Sequence, residues 1–335
     1  MQASRDTKET TVAEKKIIYV WFASLVIGSV WSLCQAQSYP TKAIRVIVPF
    51  APGGSTEVLA RMIGQKMGEH LGQSVIIDTR PGAAGSLGTE LTANAQPDGY
   101  TLLLTSLSPI VINISIPGVK LSYNPEKDLA PISVITKIPS VFTVHSDFSA
   151  RTIQDLIALA KANPGKSSYS SSGVGSANHL MGEMFKTTAK INILHVPYKG
   201  AGQGVIALMS KEVNMTLAAP PAVLPYIRNG RFRALAVSSA ARSPALPNIP
   251  TISESGYPGF DLTSWFGLLA PAGTPRPIID IIRAFLIKTI SEPPVSDRLL
   301  GEGAAPEPTT PEEFAKLIRA DIKTWAKAVE ISGAN

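Results

Sequence analysis

Two short stretches rich in glycine and hydroxyl side chains carry the groups best suited to chemistry in this sequence: residues 49–57 (PFAPGGSTE) and 171–179 (SSGVGSANH). Glycine lets a backbone come close to a ligand, and the N–H groups at the start of a helix are unpaired donors that attract an anion. Serine, threonine and asparagine add further donors. The chemistry such loops offer is the holding of a small acidic group. The first loop offers Phe50, Ala51, Gly53, Gly54, Ser55 and Thr56, and the second offers Ser172, Gly173, Gly175, Ser176 and Asn178. A third glycine segment, residues 80–88 (RPGAAGSLG), adds Ser86. The plainer alternative for each loop is a tight turn with a serine or threonine capping the next helix.

Patterns that break bonds are scarce. There is no G-x-S-x-G elbow, and Gly173-x-Gly175 has Asn178 where a dinucleotide fingerprint needs its third glycine. Neither H-E-x-x-H nor C-x-x-C occurs. The histidines are His70, His145, His179 and His195. His179 and Glu183 stand four apart on a predicted helix, with no third metal ligand at a clear spacing. Ser176 and His179 are the one nucleophile–base pair worth weighing, on a single helical turn. The expectation is a binding protein with no catalytic residue, no metal and no cofactor.

The elements that would position these loops alternate. Residues 44–50, 75–79 and 101–105 are β-branched or leucine-rich runs of the kind buried on both faces of a parallel sheet. Between the first two, Val58, Leu59, Met62, Ile63, Met67 and Leu71 recur at helical spacing, and Gly72 follows as a stop. This is a βαβ unit. The pattern restarts at Thr152, which caps a helix with Asp155 three residues on. Strands follow at 168–172, 193–197, 213–218 and 234–239, with helices at 176–189, 203–210 and 222–229 between them. Residues 132–145 and 260–270 read as paired connections of a hinge between two α/β lobes. The two glycine/serine loops, one per lobe at strand-to-helix junctions, would then face each other across a cleft. Near the C-terminus, Thr310-Pro311-Glu312-Glu313 opens a helix whose apolar stripe (Phe314, Leu317, Ile318, Ile322, Trp325, Val329) should pack on a sheet.

Composition bounds the reading. The chain has 335 residues, one cysteine, 44% apolar and 17% charged side chains, and a net charge of +6. That suits two ordinary domains with real cores, and excludes a disulfide scaffold or a disordered chain. The basic residues are scattered, which argues against nucleic acid as a partner. Lys15-Lys16 precede an uncharged apolar run, residues 17–33, and Cys34-Gln35-Ala36 follows. A positive flank, an apolar stretch and small residues before a cut describe a cleaved signal peptide over residues 1–36, and therefore export. The remainder is cysteine-free with a charge of +5.

Together these residues resemble the Bug/TctC family, the extracytoplasmic solute receptors of tripartite tricarboxylate transporters. The resemblance is carried, in the family's order, by Tyr39-Pro40 with residues 44–50, by 52–61, Arg80-Pro81-Gly82, Pro97-Asp98-Gly99-Tyr100-Thr101, 170–179, 195–200 (HVPYKG), 233–239 (RALAVSS), 242–251 (RSPALPNIPT) and 264–275 (SWFGLLAPAGTP). It implies a two-lobed, type II periplasmic-binding-protein fold: Rossmann-like α/β lobes joined by a two-segment hinge and closing like a flytrap. Lobe 1 would span 38–137 plus 262–335, and lobe 2 138–261. The ligand would carry a carboxylate, with Phe50, Ser55 and Thr56 on one side, Ser172, Gly175, Ser176 and Asn178 on the other, and Pro197, Tyr198 and Lys199 nearby. It further implies a periplasmic monomer whose partners are the large and small membrane subunits of a permease. A membrane signalling system is the other partner such a receptor could serve. Two departures stand out: Glu57 where members commonly carry Asp, and Ala218-Ala219 where many carry Asp-Asn. Loss of that acid removes a partner for a ligand ammonium group and points to a non-amino acid, aromatic or dicarboxylic.

Overall fold

The first lobe is built on the predicted βαβ unit. Strand β1 (Ile44–Val48) leads through helix α1 (Ser55–Leu71) to β2 (Val75–Thr79), and β1 pairs β2 in parallel with Ile44 opposite Val75. Leu59, Met62, Ile63, Met67 and Leu71 bury the α1 stripe, and Gly72 ends the helix in the left-handed region. Helix α2 (Ser86–Ala93) then delivers β3 (Thr101–Ser106) to the other side of β1. The computed structural model describes residues 39–332. The signal peptide expected over 1–36 lies outside them. Tyr39–Thr41 belong to a separate unit, in which the Tyr39–Pro40 bond is cis. The described residues from Lys42 onward form the other unit.

After β4 (Leu129–Pro139) the chain passes through Ser140 into β5 (Val141–His145), the first strand of the second sheet. The second lobe continues as α3 (Ile153–Ala162), β6 (Ser168–Ser171), α4 (Ala177–Ala189), β7 (Leu194–Pro197), α5 (Ala201–Met209), β8 (Met215–Ala218), α6 (Pro220–Arg228) and β9 (Phe232–Val237). Strand β10 (Thr263–Pro271) returns to the first sheet, followed by α7 (Arg276–Ser291), α8 (Pro293–Gly301) and α9 (Pro311–Ser332). The strand orders are β2-β1-β3-β10-β4 and β7-β6-β8-β5-β9, five strands each.

The βαβ pattern predicts parallel neighbours, and β2-β1-β3 and β7-β6-β8 are parallel. The segments read as connections are themselves strands. β10 inserts antiparallel between β3 and β4, and β5 antiparallel between β8 and β9. Ser140 N–H donates to Ser238 Oγ at 2.9 Å, Ser238 N–H to Ser140 O at 3.0 Å, and Leu262 N–H to Ser238 O at 2.8 Å, so both crossings are laced together. Predicted caps form as read: Asp155 N–H donates to Thr152 Oγ1, and Glu313 N–H to Thr310 Oγ1, each at 3.1 Å. Helix α9 packs not on one sheet alone but on β4 and on α4 of the second lobe. Its Phe314 is fully buried, edge-on to Trp265 with ring centroids 4.9 Å apart. Among the described residues no helix is long and apolar enough to cross a membrane.

Candidate functional site

The carboxyl ends of the central strands of both sheets open on one cleft. From the first lobe the β1–α1 loop brings Phe50, Gly54, Ser55 and Thr56; the end of β3 and the turn after it bring Ser106 and Ser108. Strand β10 adds Ser264 and Phe266, the latter placed opposite Ser106 by the antiparallel register. From the second lobe come Ser172, Ser176, Ala177 and Asn178 around the start of α4, Ala201 at the start of α5, and Ala218-Ala219 before α6. Ser140, at the crossing, lines the floor. No lining residue is charged. Helices α1, α4, α5 and α6 all begin here.

Hydrogen bonds sort the donors. Among the described residues, the N–H groups of Ser55, Thr56, Asn178 and Ala201 donate to no protein acceptor, and neither do the hydroxyls of Thr56, Ser106, Ser140 and Ser172. Ser108 Oγ accepts from Ala177 N–H at 2.9 Å and keeps its own proton free. Asn178 is fully committed: its Nδ2 donates to Ser172 Oγ at 3.1 Å and Leu217 O at 2.7 Å, and its Oδ1 accepts from Ser172 N–H at 3.2 Å. Ser176 caps α4, donating to Gly173 O at 2.6 Å and accepting from His179 N–H at 3.3 Å. Ser55 Oγ donates across the cleft to Ala219 O at 3.1 Å. Helix α6 supplies no early N–H, because Pro220 and Pro221 fill its first positions. The cleft therefore combines free donors at the starts of α1, α4 and α5 with apolar surface at Ala218, Ala219, Phe50 and Phe266.

The residues singled out in sequence thus divide. Phe50, Gly54, Ser55, Thr56, Ser172, Ser176 and Asn178 meet in the cleft; Ala51, Gly53, Ser86, Gly173, Gly175, Pro197, Tyr198 and Lys199 do not line it. Ala51 N–H donates to Lys199 O at 3.1 Å, a bond between the lobes. Tyr198 turns its hydroxyl to Glu212 Oε1 at 2.8 Å, and burial together with that carboxylate pushes its pKa up to about 12. Ser86 accepts from Asn113 Nδ2 at 2.8 Å. A Cβ on Gly175 (φ +82°) would stand 2.5 Å from Ile116 Cδ1 and 2.9 Å from Asn113 Oδ1, so this glycine permits lobe-to-lobe contact rather than ligand approach. Sequence reasoning missed Ser106, Ser108, Ser140, Ser264 and Phe266. The signal for the four serines was a serine interrupting or following an apolar strand, which is also how an ordinary strand end reads, and Phe266 reads as an ordinary strand residue.

The groups weighed for catalysis or metal binding are engaged elsewhere. Glu57 folds back to accept from Gly53 N–H at 3.1 Å and pairs with Arg61. Gly175 N–H donates to His179 Nδ1 at 3.2 Å, so the imidazole is not aimed at Ser176 Oγ. Glu183 accepts from the Tyr169 hydroxyl at 2.6 Å and from Lys186 at 2.7 Å. Among the described residues no group of three His, Cys, Asp or Glu is arranged to hold a metal.

Comparison with known proteins shows the family and the fold. Residues 59–333 match the family model of the tripartite tricarboxylate transporter family receptor. The chain is 38% identical to protein BugT of Bordetella pertussis over 302 residues, 89% of this chain and 92% of that one. A solved periplasmic transporter superposes with a TM-score of 0.86 at 38% identity, covering 89% of this chain and 99% of its own. An R. palustris protein solved with adipate superposes with a TM-score of 0.85 at 33% identity, covering 88% and 98%. Two matching α/β lobes, with their central strands ending at a shared cleft, accompany sequence identity along nearly the whole chain, and the protein belongs to the TctC family of solute receptors.

Proposed function

We propose that the protein is a monomeric periplasmic receptor that captures a small, non-amino organic acid in this cleft. It then hands the acid to a tripartite tricarboxylate-type permease with a large and a small membrane subunit. The observation that carries this reading is the cleft's lining: unpaired N–H and hydroxyl donors from both lobes, with no charged side chain. A carboxylate is satisfied there by helix starts and hydroxyls. An ammonium group finds no counter-charge. The apolar surface of Phe50 and Phe266 suits the carbon skeleton of a dicarboxylate or an aromatic acid, and adipate in the R. palustris relative is of this class. The lobes, 38–137 plus 262–335 and 138–261, close about Ser140 and residues 238–262 as a hinge. The signal-peptide pattern supports export.

Thr56→Val and Ser172→Ala test the site at almost no cost in volume by removing hydroxyls whose protons are free, and Ser172→Ala also removes the acceptor of one Asn178 Nδ2 proton, so its melting temperature is read beside its affinity. Each is expected to weaken binding of the cognate acid by about 0.5–1.5 kcal/mol, rising to about 3 where the hydroxyl meets the carboxylate itself. Ser176→Ala, by contrast, removes a cap and should cost about 1 kcal/mol of stability. Calorimetry beside thermal melting separates the two effects. Unchanged affinity in both Thr56→Val and Ser172→Ala would place the ligand elsewhere.

A further inference from the structure

Beside the loop that joins β6 to α4 lies a polar stack, with Tyr169 and His179 buried and His195 half-buried, that the cleft itself does not use. His179 and His195 lie ring on ring, centroids 4.1 Å apart at 26°, and Tyr169 also stacks on His195 at 5.0 Å. Both imidazoles reach the loop. His195 Nε2 is 2.6 Å from Ser171 Oγ, which also accepts from Gly173 N–H at 3.1 Å. His179 Nδ1 accepts from Gly175 N–H at 3.2 Å. Between these two anchors, Gly173 O takes both the N–H and the hydroxyl of Ser176, at 3.1 and 2.6 Å. The loop that presents Ser172 and the start of α4 to the cleft is thus tied to one imidazole at Ser171 and to the other at Gly175.

We propose that His179 and His195 are positioning residues for the ligand: a stacked pair of neutral imidazoles that holds residues 171–178 in binding shape without touching the ligand. The proposal rests on the reading of the cleft as the acid site. The geometry demands neutrality at His179, because an imidazolium has no lone pair left on Nδ1 for the Gly175 N–H. The surroundings favour it. Burial lowers the pKa of His179, and burial with His179 and Lys186 nearby pushes His195 down to about 3. The charged groups around the pair are Glu183 and Lys186 on α4, and Lys186 and Tyr169 both bond Glu183, which leaves that carboxylate already satisfied.

The test has a ligand-free arm and a binding arm. In ¹⁵N-histidine spectra of the full-length mature protein, His179 should be the Nε2–H tautomer with Nδ1 accepting. Amide exchange at Gly175 should speed up about tenfold in His179→Leu, the loss of about one net hydrogen bond, and be restored in His179→Asn, which keeps an acceptor near the Nδ1 position. An Nδ1–H tautomer in the wild type, or unaltered Gly175 exchange in folded His179→Leu, would overturn the proposal. Should His179→Leu fail to fold, the wild-type tautomer still decides. In calorimetry with adipate, affinity should fall about tenfold in His179→Leu and stay within about threefold in His179→Asn. Equal losses in the two variants would mean a merely structural role and overturn the proposal. Weakened binding in Ser172→Ala beside an unchanged His179→Leu overturns the buttress alone. Unchanged binding in Ser172→Ala and Thr56→Val overturns the cleft reading, while tautomer and exchange still decide the buttress.

Discussion

Gly202→Val is expected to abolish tight ligand binding while leaving both lobes folded. Gly202 sits in the first turn of α5, and a Cβ there would stand 2.1 Å from Pro52 O, 2.8 Å from Gly53 C and 2.9 Å from Gly54 N. Those atoms belong to the β1–α1 loop of the other lobe, so the clash exists only when the lobes are together. Within α5 itself valine is a better helix former than glycine. The variant should therefore melt within a few degrees of the wild type. Its affinity should drop by about a hundredfold or more, equivalent to about 2.7 kcal/mol. Small-angle scattering with saturating ligand should show an expanded molecule. Wild-type affinity in this variant would mean that the approach of α5 to Pro52 plays no part in binding.

Ala219→Asp probes the charge of the cleft in the opposite way, by adding to it. Ala219 is the N-cap of α6, whose first positions are Pro220 and Pro221 and whose first donor is Ala222 N–H, now on Ala219 O at 3.1 Å. Aspartate is a favoured N-cap, so the fold should hold or gain up to about 1 kcal/mol. Ala219 also lines the cleft, so the new carboxylate would bring a like charge into it. Two like charges about 4 Å apart repel by about 4 kcal/mol at an effective dielectric of about 20. Even half of that weakens an acid by roughly thirtyfold. An amino analogue of the same acid should lose far less, because its ammonium gains a partner. Calorimetry with the acid and its amino analogue checks both; an equal loss for the two would show that charge does not set the preference.

What the sequence revealed follows from how local each signal is. The βαβ units were legible because a buried parallel strand and an amphipathic helix each declare themselves within a dozen residues, as 44–48 and α1 do. The loops at Gly54 and Ser176 were legible for the same reason, since glycine and hydroxyl residues at a strand-to-helix junction are local facts. Strand β10 was not. Its neighbours β3 and β4 lie far away in the chain, and an insertion that is antiparallel leaves no βαβ pattern to find. Ser264 and Phe266 were missed with it. Ser140 escaped because a residue between two strands of different sheets looks like any strand interior. Tyr198 was expected nearer the cleft from a motif, but side-chain direction is set by Glu212 across space, which spacing along HVPYKG does not encode.

Calorimetric titration of the mature protein with acids that differ only in an amino group decides whether the cleft takes a carboxylate and turns away an ammonium group. Succinate against aspartate is the simplest pair, with adipate and benzoate to probe length and aromaticity. The account predicts saturable binding of at least one non-amino acid, and aspartate weaker than succinate, because the cleft offers donors from two lobes and no carboxylate to an ammonium group. Failure of every acid to bind, or aspartate bound as tightly as the best of them, would contradict it.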